Sequence, residues 1–181
     1  MYKRQSLNGF LVPNDESWLK CLENSYAALR TSWQGEWVGL PAVLAQCVQY
    51  LGLNHDAISL PASQMLKAAD SVAHQIENSF AQEGIEAEPL YHNRLHFADA
   101  ITTISLQIAI QSHLSKQRNE DWSACALLAC IAHDFCHNGR INQFESELEK
   151  HSVDMLRPIL DECGVSAVSY THLRAHETLM N

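Results

Sequence analysis

Apolar residues recur along most of this chain at spacings of three and four, which is the period of amphipathic helices rather than of strands. Glycine and proline are scarce, with 7 and 5 copies, and fall mostly between these segments. The pattern therefore predicts an all-α fold. The first predicted helix starts after Asn14-Asp15. Five more are predicted at about 41–51, 62–84, 93–113, 121–134 and 143–163.

Single residues refine these helices. Ser63 is the predicted N-terminal cap of the third helix, and Pro158 interrupts the hydrogen-bond pattern of the last one. The fifth helix is apolar nearly all round, as is typical of the centre of a bundle. The stripe of the first helix comprises Trp18, Cys21, Leu22, Tyr26 and Leu29. The residues expected to be buried in the fourth are Ile101, Ile104, Leu106, Ile108 and Ile110.

Composition and charge narrow the class of protein. The chain has 181 residues, 46% of them hydrophobic, and a net charge of −9, which describes an acidic globular domain and excludes wholesale disorder. Because no basic cluster is present, extended DNA or RNA is excluded as a partner. The longest apolar run, Ala124–Ala132, is too short to cross a membrane, and we expect a cytoplasmic protein. We expect all six cysteines to be reduced.

Three segments are predicted along the chain. Residues 1–89 form a helical lobe that acts as scaffold, and residues 90–167 form the helices that carry the candidate chemistry. The last stretch, 168–181, has little apolar period and is similar to translated sequencing-adapter sequence. We therefore expect 168–181 to be a non-native tail on a domain that is truncated after Ala167.

Two short histidine clusters are the most informative feature of the sequence. His92, His96 and Asp99 stand at i, i+4 and i+7, so on a helix they share one face within reach of a common ion. The second cluster, His133–His137, includes Asp134 and ends the most apolar helix. An ionised carboxylate is costly beside an apolar wall, and a bound metal ion is one common way to neutralise it. The clusters therefore predict a metal site.

The chemistry of this predicted site has alternatives. Histidine with carboxylate suits zinc, iron, manganese or magnesium with positions open for water. A closed structural zinc site would use Cys130, His133, Cys136 and His137. This site is disfavoured, because on one continuous helix these four side chains do not all point the same way. A polar seam of hydrogen-bonded histidines is the other interpretation, and we keep it for His55, His74 and His113. His172 and His176 lie in the suspect tail and are assigned no role.

At these residues the sequence resembles the HD-domain metallohydrolases, and more narrowly the class I cyclic-nucleotide phosphodiesterases. Those enzymes carry a Tyr-His-Asn-x-x-His segment followed by an aspartate, which Tyr91–His96 and Asp99 match. Their His-Asp-x-x-His-x-Gly segment is matched by His133–Gly139, followed by Asn142. Their Ser-x-Leu-Glu-x-His segment is matched by Ser146–His151. The resemblance implies an HD-domain, phosphodiesterase-like helical bundle, here incomplete at its C-terminus.

The resemblance also implies roles for the matching residues. His96, His133 and Asp134 would be metal ligands, with Asp134 bridging two divalent ions, zinc with magnesium or manganese. His92 would be the general acid. The family's last aspartate ligand and the glutamine that clamps the purine would lie downstream of Ala167.

Other matching residues would support these groups. His137 and Glu149 would hold waters near the ions, with Glu147 as an alternative to Glu149. Asp99 would support the ligands from outside, and Tyr91 would contact the substrate.

The implied function is metal-dependent hydrolysis of 3′,5′-cyclic nucleotides, cAMP or cGMP, to 5′-monophosphates in signal transduction. A general HD-type phosphohydrolase acting on nucleotides or alarmones is the first alternative, and a non-catalytic helical signalling module is the second. The expected partner is a small cyclic nucleotide, together with a second copy of the chain in a homodimer, and not a membrane.

Overall fold

The computed structural model describes residues 36–83, 89, 91–137, 140–144 and 146–166. It also describes a few positions further upstream: Lys20, Glu23, Asn24, Ala27, Ala28 and Thr31. Its helices are α1 (Leu40–Tyr50), α2 (Leu60–Glu83), α3 (Arg94–Ser115), α4 (Glu120–Ala132) and α5 (Glu147–Cys163). The described residues contain no strand, so the predicted all-α fold is confirmed.

The first predicted helix falls almost entirely outside the described residues. Its apolar stripe, from Trp18 to Leu29, lies there, as does the predicted tail, 168–181. The six described positions between Lys20 and Thr31 are helical and exposed. They agree with a helix in this region but say nothing about its buried face.

Helix α4 lies at the centre of the fold, as its sequence predicts. It packs most extensively against α2, and α3 covers another of its sides. Its fully buried residues are Ala124, Leu127, Leu128 and Ile131. Helix α1 packs on α2 and α3, whereas α5 packs on α2. Burial of these apolar faces stabilises the bundle by roughly 25 cal/mol for each Å² removed from water.

The N-terminus of α2 differs from the prediction. Ser59, and not Ser63, is the capping residue, because the Ser59 hydroxyl accepts a hydrogen bond from the Ala62 N–H at 3.2 Å. The helix then begins at Leu60 and holds Pro61 in its first turn. Proline fits there, since the N–H that it lacks would have no partner within the helix.

Helix α3 starts as expected, and its buried face is narrower than expected. Ile101 and Ile108 are buried, but Ile104, Leu106 and Ile110 are only partly covered. Two small polar residues, Thr102 and Ser105, share the buried face. Their hydroxyls donate to backbone carbonyls one turn earlier, so close packing between helices costs no unpaired polar group.

Helix α5 begins at Glu147, four residues after the predicted start at 143. Asn142 explains the delay, because its side-chain oxygen accepts a hydrogen bond from the Leu148 N–H at 2.8 Å and keeps the preceding loop open. Pro158 lies within the helix, and Gly164 ends it with a φ of 72°.

The cysteines and the helix lengths bear on two further expectations. The described cysteines are free thiols: Cys47, Cys125, Cys130, Cys136 and Cys163. Cys21 lies outside the described residues. Among the described helices, none combines the length and the hydrophobicity that a membrane span requires.

Candidate metal centre

The start of α3 positions the first histidine cluster. Asn93 caps this helix, because its side-chain oxygen accepts a hydrogen bond from the His96 N–H at 3.0 Å. His92 therefore lies just outside the helix, and His96 lies in its first turn. The Asn93 amide also donates to the Pro89 carbonyl at 3.3 Å, which ties the approaching chain to the cap.

The end of α4 positions the second cluster. His133 and Asp134 follow Ala132 directly, in a turn that leaves the central helix. His133 Nδ1 lies 2.6 Å from the Cys130 carbonyl oxygen. Since a carbonyl can only accept, Nδ1 carries the proton and the lone pair of neutral His133 is on Nε2. Histidines that ligate metals are commonly oriented by such a bond.

Three donor atoms from the two clusters converge. His96 Nε2 lies 3.2 Å from His133 Nε2, and these nitrogens lie 3.3 and 3.0 Å from Asp134 Oδ2. Ligands about 2.0 to 2.2 Å from one metal ion lie about 3.3 to 3.6 Å apart at the tetrahedral angle and about 2.8 to 3.1 Å apart at a right angle, and the three spacings fall within this span. The three spacings therefore match one coordination shell.

The protonation of these atoms also favours a cation. The Nε2 lone pair of His133 and the ionised oxygen of Asp134 are both acceptors, and they face each other at 3.0 Å. Two acceptors at this distance repel unless a proton or a metal ion lies between them. The side chains are about four-fifths covered, so little water screens this repulsion. The residues present thus fit a divalent ion.

Burial and charge set the protonation states of the site. Burial is the main cause that lowers the pKa of His96, and the charge of His133 is the second. Burial and then the charge of His92 lower the pKa of His137. Burial alone would raise the pKa of Asp134, but contacts with His133 and His92 hold it well below its usual range. Neutral imidazoles beside an ionised carboxylate form the state that binds divalent ions.

His92 contacts the same carboxylate from another side. Its Nδ1 lies 2.9 Å from Asp134 Oδ2, and its ring centroid lies 3.8 Å from that of His137. Donor atoms of His92, His96 and Asp134 lie within 4.8 Å of one another, so His92 could also ligate an ion. We favour His133 as the ligand instead, because its two spacings are those of one shell and its Nδ1 is fixed by a carbonyl.

The remaining predicted residues surround this group at different distances. The Tyr91 ring lies 4.4 Å from that of His96, centroid to centroid, and Tyr91 is 65% exposed. Asp99 is exposed further along α3, and its charge is not among those that chiefly shift the pKa of His96. The structure therefore places Tyr91 beside the candidate ligands, and the supporting role of Asp99 stays a prediction.

Glu149 and Glu147 have different surroundings. Asn142 Nδ2 donates to the Glu149 carboxylate at 3.0 and 3.3 Å, and the charge of Glu149 acts on His137. Glu147 instead accepts from Arg140 and from the Gln143 N–H at 2.7 Å, which fixes the loop before α5. This geometry favours Glu149 over Glu147 as the acidic group near the site.

The structural zinc interpretation finds no support among the described residues. It is the Cys130 carbonyl, not the thiol, that meets His133. Burial raises the pKa of the Cys130 thiol to about 12, which opposes the thiolate that zinc requires. Cys136 is exposed.

Sequence reasoning missed two groups that shape the site. The Cys130 carbonyl is one, and no side-chain motif announces a backbone acceptor. Glu77 on α2 is the other: it pairs with Arg94 at 2.6 Å, in the first turn of α3. In the sequence, the one sign of this pair is Arg94 itself, which stands between the candidate site residues His92 and His96.

Fold and site together describe a helical-bundle protein with a candidate His-Asp metal centre, which is consistent with the HD superfamily. Residues 91–161 match the family described as 3′5′-cyclic nucleotide phosphodiesterase. The match agrees with the resemblance seen in the sequence. Searches of curated proteins and of solved structures gave no significant match.

Proposed function

We propose that this protein is a metal-dependent phosphodiesterase that opens a 3′,5′-cyclic nucleotide, cAMP or cGMP, to its 5′-monophosphate. The observation that carries the proposal is the convergence of His96 Nε2, His133 Nε2 and Asp134 Oδ2 at 3.0 to 3.3 Å. The family match over 91–161, which includes all three residues, supports the substrate class.

The ligand set is proposed as His96, His133 and Asp134, with Asp134 shared by two divalent ions, zinc with magnesium or manganese. A bound divalent ion polarises phosphoryl oxygens and makes water a nucleophile at neutral pH. The ions also reverse the local sign of charge, which an acidic chain of net charge −9 needs in order to bind an anionic nucleotide.

His92 is proposed as the general acid that protonates the departing sugar oxygen. Its Nδ1 faces Asp134 Oδ2 at 2.9 Å, so the ring is held by one nitrogen and Nε2 is on its other side. The His137 ring packs against it with centroids 3.8 Å apart, which further limits its rotation. A positioned acid of this kind contributes typically about 10² to 10⁴-fold to a rate.

Three further residues complete the proposed machinery. His137 and Glu149 are proposed to orient waters around the ions, and the charge of Glu149 already acts on His137. Tyr91 is proposed to contact the nucleotide, because its ring is exposed and lies directly beside His96. Aromatic rings stack well on nucleobases.

The experiment compares hydrolysis of cAMP, cGMP and a generic aryl phosphodiester with and without Mn²⁺. We expect Mn²⁺-dependent formation of 5′-monophosphate from a cyclic nucleotide, lost in His96→Ala and retained in His74→Ala. His74 is a matched control, since it lies on α2 and pairs with Asp70 at 3.7 Å away from the site. Hydrolysis of the aryl ester alone would indicate the general phosphohydrolase, and activity independent of metal would contradict the proposal.

A further inference from the structure

One carboxylate on α2 joins three parts of the chain. Glu77 accepts hydrogen bonds from the Trp37 indole N–H at 3.0 Å, the Leu40 backbone N–H at 2.7 Å and Arg94 Nη1 at 2.6 Å. The Glu77 side chain is 19% exposed and that of Arg94 is 10% exposed. A charged pair so well covered is weakly screened by solvent.

Glu77 first serves the start of α1. The residue before this helix is Gly39, with a φ of 91°, and it has no side chain to cap the free N–H groups. Glu77 supplies an acceptor to Leu40 N–H from a different helix, and it places negative charge at the positive end of the α1 dipole. This role accounts for one of its oxygens, while the other binds Trp37 and Arg94.

Arg94 then connects this carboxylate to the candidate metal centre. It is the first residue of α3, flanked two positions away on each side by His92 and His96. Two residues correspond to about 200° around a helix axis, so Arg94 and His96 point in nearly opposite directions. Pulling Arg94 toward α2 therefore sets the rotation at which the first turn presents His96 to α4.

In the part of the chain that the structure describes, α2 and the start of α3 share few other contacts. Helices α2 and α3 meet over only a short stretch, because α3 packs mainly on α4 and α1. The Arg94 guanidinium also lies 5.8 Å from the centroid of the Trp37 ring, within range of a cation–π interaction. The contacts of Arg94 with Glu77 and Trp37 therefore form much of the contact between α2 and the first turn of α3.

We infer that Glu77 and Arg94 are positioning residues that hold the first turn of α3, and with it His92 and His96, in register with His133 and Asp134. The inference rests on the proposed metal-dependent function. Groups that orient metal ligands from outside commonly change metal affinity by about 10 to 100-fold when they are removed.

The test is titration of the full chain with Co²⁺, followed by the visible absorption of the bound ion. We expect Glu77→Gln and Arg94→Met to weaken Co²⁺ binding by about tenfold and to change the absorption spectrum, because the ligands lose their fixed geometry. Arg94→Met tests the role of Arg94 alone, because the hydrogen bonds that Trp37 and Leu40 donate to Glu77 stay in place. Arg94→Lys, which keeps a charged donor, should restore most of the affinity and the native spectrum.

Glu120→Gln is the matched control. Glu120 is also a carboxylate that accepts from a backbone N–H, that of Ser59 at 3.2 Å, but it lies at the far end of α4. We expect its loss to leave Co²⁺ affinity and spectrum unchanged. If Glu77→Gln and Arg94→Met also bind Co²⁺ with native affinity and spectrum, the inference is overturned.

The other outcomes separate the two proposals. A native chain that binds Co²⁺ while all four variants weaken alike would show general destabilisation and would contradict a positioning role. A native chain that binds no Co²⁺ at all would contradict the proposed metal centre itself, and the inference with it.

Discussion

The two ends of α4 each carry a carboxylate beside a histidine, yet they differ in chemistry. At the N-terminal end, Glu120 uses one oxygen for His55 at 3.0 Å and the other for the Ser59 N–H at 3.2 Å. At the C-terminal end, Asp134 Oδ2 alone faces His92, His96 and His133 within 3.3 Å. In the first arrangement each oxygen has its own partner, and in the second three histidine nitrogens face one oxygen.

The helix dipole strengthens this contrast. Glu120 and Asp121 lie in the first turn of α4, where the dipole favours negative charge. Asp134 follows the last turn, where the dipole opposes a carboxylate and a cation is favoured. A histidine beside an acid is thus weak evidence for a metal, whereas several histidines that converge on one carboxylate at a helix C-terminus favour a metal site.

The largest expected effect comes from breaking the C-terminal arrangement. We expect Asp134→Ala to lower Mn²⁺ or Zn²⁺ affinity by at least about 100-fold, because the carboxylate that faces both imidazoles is removed. Elemental analysis after dialysis measures the bound metal. Glu120→Ala is the control and should retain native metal content; full metal content in Asp134→Ala would refute the shared role of this carboxylate.

The next effect separates acid from ligand. We expect His92→Ala to keep its metal and to lower turnover of the cyclic nucleotide by about 10² to 10⁴-fold, since it removes only the proton donor. Steady-state kinetics and metal analysis of one preparation check both halves. Stoichiometric loss of metal would instead make His92 a ligand, the arrangement that its closeness to His96 and Asp134 also permits.

The reactivity of cysteine thiols should differ between the packed helices and the turn that follows α4. Burial raises the pKa of the Cys47 thiol to about 11 and that of Cys130 to about 12; it also raises the pKa of Cys136, whose side chain is nevertheless exposed in the turn after α4. At pH 8 we expect iodoacetamide to modify Cys136 at least about tenfold faster than Cys47 and Cys130. Peptide mass spectrometry measures the rates, and comparable modification of Cys130 in folded protein would contradict this packing.

A smaller effect is expected on how the stability of the protein depends on pH through Glu77. Burial would raise the pKa of Glu77, but hydrogen bonds from Leu40, Trp37 and Arg94 lower it overall. Because the folded-state pKa lies below the unfolded value of about 4.3, the stabilisation is complete above that pH and is lost as pH falls through the folded-state pKa. Urea unfolding should therefore show native protein more stable than Glu77→Gln at pH 7, with a gap that narrows below about pH 4.3. A gap that widens in acid would show the opposite shift.

The smallest effect is expected at the N-terminal end of α4. The His55 and Glu120 side chains are 41% and 26% exposed, and exposed pairs contribute only about 0 to 1 kcal/mol. Glu120→Gln should therefore lower the free energy of unfolding by less than about 1 kcal/mol. A larger loss in urea unfolding would mean that the two ends of α4 are energetically more alike than their contacts indicate.

Much of the fold follows from local pattern. The apolar spacing predicted α1 to α4 within a few residues, and it placed α4 at the centre because α4 offers no polar face. Local pattern predicted Ser63 as the cap of α2 and was wrong, because Ser59, another serine near Pro61, is the capping residue. The choice depends on Glu120 and Asp121, which bind Ser59 from another helix.

The candidate site was predictable in its members but not in its geometry. Helical spacing predicted His92 and His96 on one face of a helix, although His92 lies just before α3, and the second histidine cluster supplied His133 and Asp134. Spacing also put Asp99 on that face, but seven residues from His92 carry it one turn beyond His96 along α3. Contacts between distant segments decide such details, and a single sequence does not encode them in its period.

The most direct measurement is anomalous diffraction at the zinc edge from crystals grown with Zn²⁺. We expect a peak about 2.0 to 2.2 Å from His96 Nε2, His133 Nε2 and Asp134 Oδ2 together. A zinc peak elsewhere, with these three atoms contacting only each other, would contradict the account.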